Sequence, residues 1–119
     1  MDGHYKLPKS SRLLIKADFD RVFADARSFR NRSFTLLVRQ SGQETARIGF
    51  IIAKKKVRLS VDRNRIRRVV RESFRHWREK LPSVDVIFIS QSGVAAMPNP
   101  KLFSSLEKQW LQIILTMPK

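Results

Sequence analysis

The chain contains no cysteine. Disulfides and thiolate metal sites are therefore excluded. Histidine is nearly absent: His4 and His76 are the only two, too few and too far apart for a histidine-based zinc site. Carboxylates are scarce, ten Asp and Glu against 25 Lys and Arg, and they are scattered among the arginines. No Ser/His/Asp arrangement or metal cluster emerges, so catalysis by the protein alone is not expected. No segment approaches the ~20 apolar residues of a membrane span. The first sixteen residues carry scattered charge and no apolar run of signal length. With the missing cysteine, this points to the cytosol. There is no internal repeat and no low-complexity segment.

What remains is a single-domain length of 119 residues, 42% hydrophobic, with eight Phe and two Trp. Such a chain buries roughly two-thirds of its unfolded surface, enough for one core without cross-links. The formal charge is +15 and the isoelectric point near 11.5. Charge of that density implies a polyanionic partner, nucleic acid first and an anionic membrane surface second.

Residues 1–15 read as an arm: Gly3, Pro8, Ser10 and Ser11 break any period, although Leu7, Leu13, Leu14 and Ile15 could pack on the domain. Residues 17–26 read as a short helix, with Phe19, Val22 and Phe23 at i, i+3, i+4. Asp18 and Asp20 near its start suit the helix dipole. Residues 33–39 and 46–53 read as strands separated by the polar turn Gln40 to Glu44. Gly49 inside the second suggests a bulge or a close backbone approach. Residues 60–80 form a long helix, with Ser60 as its cap and Pro82 just past its end. A third clear strand covers 84–90. Gly93, Pro98 and Pro100 mark a loop, and Asn99 could cap a last helix over 101–116. In that helix Leu102, Phe103, Leu106, Trp110, Ile113 and Ile114 recur at helical spacing. The order is α, β, β, α, β, α, with room for a further short strand near 28–32. This is an α+β sandwich, one small sheet with helices packed on it.

The charge is concentrated. Residues 54–80 hold twelve Lys and Arg against three Asp and Glu, an excess of nine in less than a quarter of the chain. On a helical wheel Ile66, Val69, Val70, Ser73, Phe74, Trp77 and Leu81 cover one arc, the face for the sheet. Asn64, Arg67, Arg68, Arg71, Arg75 and Arg78 fill the opposite side. Glu72 and Glu79 can pair with Arg68 and Arg75 at i, i+4, each pair contributing only ~0.2–0.5 kcal/mol. A merely solvated basic face would explain such a pattern, but three features argue for binding. Most of the cations are Arg, whose fork matches phosphate oxygens. Arg63 and Arg65 lie in the first turn, where the dipole disfavours cations by ~0.3–1 kcal/mol each. Lys54, Lys55, Lys56 and Arg58 lead straight into that turn, whose free N–H groups already favour an anion. A DNA-reading helix would normally sit in a small helical fold. Strands on both sides favour an RNA-binding domain that uses shape and phosphate contacts.

Arg63-Asn64-Arg65-Ile66-Arg67-Arg68, followed by Arg71-Glu72-Ser73-Phe74-Arg75, resembles the signature of the bacterial ribonuclease P protein component. The match extends to Arg12-Leu13, Asp18-Phe19, Val22-Phe23, Arg47-Ile48-Gly49, Ala53-Lys54-Lys55 and Asp85 to Ile89, nearly the whole chain in order. The resemblance implies an α+β fold with a left-handed β-α-β crossover around the Arg-rich helix. It implies a protein that binds the catalytic RNA of ribonuclease P, in a complex that removes the 5′ leader of precursor tRNA. The RNA with bound Mg²⁺ performs the hydrolysis, and the protein supplies no catalytic residue and no cofactor of its own. Catalytic-RNA contacts map to Lys54, Lys55, Arg63, Asn64, Arg65, Arg67, Arg68 and Arg71. Lys56, Arg58 and Arg75 complete the candidate RNA-binding set on charge alone. A cleft between the sheet and the first helix takes the single-stranded leader, and its aromatics map to Phe19 and Phe23.

The residues themselves agree on one point, since single strands stack on aromatics beside cations at ~1–3 kcal/mol per base. Core packing is the competing role for that Phe pair, and Phe34 or Phe50 could also contribute to stacking. The chain departs from the family pattern at Ser90-Gln91-Ser92, where members often carry a basic pair, and at Ser60 and Lys56. Two other classes fit the electrostatics. One is a general RNA- or ribosome-binding protein. The other is a helix for an anionic membrane or a protein partner, which would need the apolar face that the sheet claims. With no coiled-coil seam, a monomer in a 1:1 ribonucleoprotein is the default.

Overall fold

The computed structural model describes residues 16–117. The arm expected over 1–15 lies outside them. The elements are α1 (Lys16–Ala24), β1 (Arg27–Arg30), β2 (Phe34–Gln40), β3 (Arg47–Ile51), α2 (Ser60–Trp77), β4 (Val84–Ser90), a 3-10 turn (Val94–Ala96) and α3 (Asn99–Thr116). The strands form one mixed sheet in the order β1-β2-β4-β3. The fold is α+β, as the sequence pattern indicates, with the short extra strand formed as β1.

β4 is the central strand, antiparallel to β2 and parallel to β3. Its residues from Val84 to Phe88 are all buried, which is why it reads as an apolar run rather than an alternation. Parallel partners cannot be joined by a tight turn, so β3 and β4 require a crossover, and α2 is that crossover. Side chains alternate across the sheet. Phe34, Leu36, Val38, Ile48, Val86 and Phe88 face α2 and α3 in the main core. Ile87 faces the other way, where Val22 of α1 covers it, with Phe19, Leu37, Ile51 and Ile89 around the pair. The ladder runs through Gly49 opposite Ile87 without a slip in register, so of the two readings of that glycine the bulge is absent.

α2 buries Ile66, Val69, Val70, Ser73 and Phe74, the arc read from the wheel. It stops at Trp77, whose carbonyl accepts from the amides of Lys80 and Leu81 at 2.9 and 3.0 Å. Leu59 takes the N-cap position, without a side-chain cap bond, and Ser60 is already helical. At α3, Pro98 takes that position, and Asn99 and Pro100 open the helix, where the missing proline N–H costs nothing. The two helices are fastened by Trp110. Its ring meets Phe74 edge-on at 5.7 Å, and its Nε1 donates to Ser73 Oγ at 2.8 Å in the buried core. Ser73→Ala keeps the volume nearly constant but leaves the indole N–H without an acceptor. It should lower unfolding stability by about 1–3 kcal/mol. Urea titration should show a lower midpoint at unchanged slope.

Candidate RNA interface

After β3 the chain turns tightly: the amides of Lys56 and Val57 both donate to Ala53 O at 3.0 Å. Val57 is buried and anchors the turn. The intervening Lys54, Lys55 and Lys56 are thereby held outward, and Arg58 is exposed beside them. Arg63 reaches back from the first turn of α2, its Nη1 donating to Val57 O and Arg58 O at 2.9 Å. The lysine turn is thus strapped to the helix start.

Arg65 is held in the same manner by the segment after β4. Its Nη1 donates to Met97 O at 3.0 Å and Asn99 Oδ1 at 2.7 Å, and its Nη2 to Ala95 O at 2.9 Å. Both arginines, read from sequence as first-turn cations placed against the dipole, meet neutral oxygens, although with α2 starting at Ser60 only Arg63 lies in the first turn and Arg65 in the second. Those oxygens relieve the local repulsion yet leave the two charges unneutralised. Asn99, expected as a cap, accepts from Arg65 instead.

Along the outer face of α2, Asn64 and Arg68 are exposed, while Arg67, Arg71 and Arg75 are half-buried. Arg67 donates to Asn64 Oδ1 at 3.3 Å. Arg71 lies over the Phe50 ring, 5.2 Å from its centroid. Arg78 reaches across to Thr45 Oγ1 at 3.1 Å. Arg68 has no ion pair among the described residues, its i+4 neighbour Glu72 included.

The opposite face of the sheet carries a second site. α1 covers only part of it. Beyond the helix lies an open cavity of about 530 Å³ lined by Ser28, Arg30, Thr35, Leu37, Ile89 and Gln91, with Asn31, Arg32 and Ser92 at its end. Leu37 and Ile89 belong both to this wall and to the cluster under α1. Phe19, half-buried, packs in that same cluster, and Phe23 stands 50% exposed one turn further on. Phe34 and Phe50 do not join them. Phe34 is wholly buried on the α2 side, and Phe50 packs on that side as well. The parity of the strand sends both away from the cleft. Ser92 lines the cleft but Ser90 turns into the core, and Gln91 Nε2 donates to Thr35 Oγ1 at 3.3 Å. The cations at this end come instead from Arg30 and Arg32, which the sequence reading did not single out.

α1 is positioned by a charged network that sequence reasoning also missed. Asp18, read as a helix-start residue, is only 6% exposed. It accepts from Arg21 Nη2 at 3.0 Å and Arg47 Nη2 at 3.4 Å. Arg47 in turn grips its register partner Asp85 through two bonds, Nε to Oδ1 at 2.8 Å and Nη2 to Oδ2 at 2.7 Å. The Asp85 hydrogen bonds raise the Arg47 pKa above its ordinary value, against the opposing effect of burial. The available signal was Asp85 itself, a carboxylate in an otherwise apolar strand, which must find a partner when buried.

A model of the ribonuclease P family matches residues 7–114. The chain belongs to the ribonuclease P protein family. It is 42% identical to the ribonuclease P protein component of Thioalkalivibrio sulfidiphilus, over 89% of this chain and 88% of that one. With the corresponding protein of Pseudoalteromonas atlantica the identity is 37%, over 93% and 92%. Among solved structures, the Staphylococcus aureus RNase P protein superposes with a TM-score of 0.76 at 30% identity, over 88% of this chain and 95% of that one. The Thermotoga maritima protein gives 0.76 at 25% identity, over 86% and 96%. Family membership makes this chain a protein subunit of ribonuclease P, the ribonucleoprotein endoribonuclease of tRNA processing, and implies association with the ribonuclease P RNA.

The geometry separates two arginines that sequence treats alike. Arg68→Ala should lower the salt slope of RNA binding by about one unit and shift stability by less than ~0.5 kcal/mol. Arg65→Ala removes three internal hydrogen bonds. It should weaken RNA binding and also cost about 2 kcal/mol of stability. Salt-titrated filter binding with thermal melts of both variants checks this.

Proposed function

We propose that this protein binds the catalytic RNA of ribonuclease P through the lysine turn and the outer face of α2, and the 5′ leader of precursor tRNA through the cleft beside α1. Lys54, Lys55, Lys56, Arg58, Arg63, Asn64, Arg65, Arg67, Arg68, Arg71 and Arg75 form the first surface. Arg63 and Arg65 serve it from fixed positions, holding the turn and the α3 start while adding their field. Phe19 and Phe23 offer ring surface to leader bases, with Arg30 and Arg32 near their phosphates. The protein acts as one domain and one copy per RNA, in the cytoplasm; among the described residues no helix is long and apolar enough to cross a membrane.

The observation that carries this reading is the pairing of two cationic surfaces on opposite faces of one sheet, one of which has the ring of Phe19 in the same apolar cluster as Leu37 and Ile89 of the cavity wall. A general RNA-binding protein needs only the α2 surface. Hydrolysis of the phosphodiester belongs to the RNA and its Mg²⁺. Among the described residues Asp18 and Asp85 face Arg47 rather than an open site, and no group of three metal-ligating side chains gathers. In this reading the protein's part is to bind and orient.

Cleavage of a precursor tRNA by a bacterial ribonuclease P RNA at low Mg²⁺ tests the assignment. The protein should stimulate cleavage strongly at the mature 5′ end; a folded, RNA-bound protein that gives no stimulation would support the general RNA-binding reading. Phe23→Ala should weaken binding of precursor tRNA by about five- to 100-fold if one base is stacked. Mature tRNA and catalytic-RNA affinities should hardly move. Phe19→Ala should act in the same direction with an added loss of stability, because Phe19 also packs against the cluster beneath α1.

A further inference from the structure

The cleft does not end at the edge of the sheet. Asn31 and Arg32, which close it, are also the wall of a second cavity of about 370 Å³ on the other side of the β1–β2 turn. That cavity lies between the turn and α3, and Ser33, Lys101, Ser105, Lys108 and Gln109 line it with Arg32. Lys101, Ser105 and Lys108 stand at i, i+4 and i+7, one face of α3, clear of its buried Leu102, Leu106, Trp110 and Ile113. No carboxylate lines the groove. Glu107 follows Ser105 by two positions and so points about 200° away round the helix. Arg32, Lys101 and Lys108 are exposed and have no ion pair among the described residues.

Two further features make this more than a solvated surface. Lys101 sits in the first turn of α3, where the helix dipole disfavours a cation, and that turn holds no acidic residue. Both walls are also rigid. Asn31 Oδ1 accepts from the amides of Ser33 and Phe34 at 2.8 and 2.9 Å, and Arg65 fixes the α3 start through Asn99. The lining carries three cations, two hydroxyls, the amides of Asn31 and Gln109 and the Met97 side chain, but no aromatic ring. It suits a phosphodiester backbone rather than stacked bases.

We infer that the leader strand, on leaving the cleft, rounds the β1–β2 turn and lays its next phosphates on Arg32, Lys101 and Lys108. This rests on the reading of the cleft as the leader site. The groove is too small for a duplex, and the 3′ end of the leader runs into the tRNA stem. The strand in the groove is therefore the free 5′ portion of the leader, held without regard to base identity.

The test uses the holoenzyme reconstituted with ribonuclease P RNA, and precursor tRNAs whose leaders grow one nucleotide at a time. The Lys101→Ala/Lys108→Ala double variant should show a deficit only beyond a threshold length. Past it, affinity should fall on the order of tenfold, and the salt slope should drop by about one unit, for two lost single-strand phosphate contacts. Changing the sequence of the added nucleotides should leave the deficit unaltered. Equal affinity for the variant and the parent at every length overturns the inference. So does a deficit that is the same for mature tRNA or for the catalytic RNA alone, which would assign the groove to the catalytic RNA. Phe23→Ala run in parallel separates the two readings. If it fails to weaken short-leader binding, the cleft reading falls and this inference with it. If it does weaken it while the lysine variant matches the parent throughout, only the groove falls. Equal melting temperatures for variant and parent establish that a deficit is not one of folding.

Discussion

The parallel pairing of β3 with β4 governs most of what this protein presents to its surroundings. A parallel pair has to be connected by a long excursion, and here that excursion contains the lysine turn and α2. The helix must return along the sheet with one face buried, and Ile66, Val69, Val70, Ser73 and Phe74 satisfy that demand. Every cation between Lys54 and Arg78 is then confined to the remaining surface. The basic face is oriented by backbone topology before any RNA is present.

The few acidic residues contribute by where they point. Asp18 and Asp85 turn inward onto Arg47 and are nearly buried. They fix α1 against the sheet while contributing little negative field outside. A network of this kind adds little net stability when compared with apolar packing, but breaking one member is costly because the others are left buried and unpaired. Its value is positional: it holds α1, and with it Val22, over Ile87 on that face of the sheet.

Much of this was legible in the sequence. The period of α2, the run of β4 and the buried arc of α3 are local patterns, and local patterns determine which face is apolar. The family resemblance added the expectation of two RNA surfaces. What escaped was the destination of individual polar side chains. Arg65 meets Met97 across 32 positions, and Arg47 meets Asp85 across 38. No periodicity reports such separations. The same blindness put Phe34 among possible base-stacking rings, because an aromatic in a strand has two possible faces and only the pairing register decides between them. Arg30 and Arg32 were overlooked because two cations in a short strand and turn form no cluster until the sheet brings them to the mouth of a cavity.

The clamp at Arg65 bears on how the sequence of this helix can drift. A guanidinium spans Ala95 O, Met97 O and Asn99 Oδ1 from one planar group. An ammonium is a single point on a flexible stem and cannot hold two of its edges against three acceptors at once. Arg65 and Arg68 have the same side chain and the same charge and sit less than a turn apart. Yet exchange to lysine at Arg68 keeps the charge and loses only the fork, whereas at Arg65 it also dissolves the joint between α2 and α3. Conservation of charge and conservation of shape are thus separate demands on neighbouring letters of one basic motif.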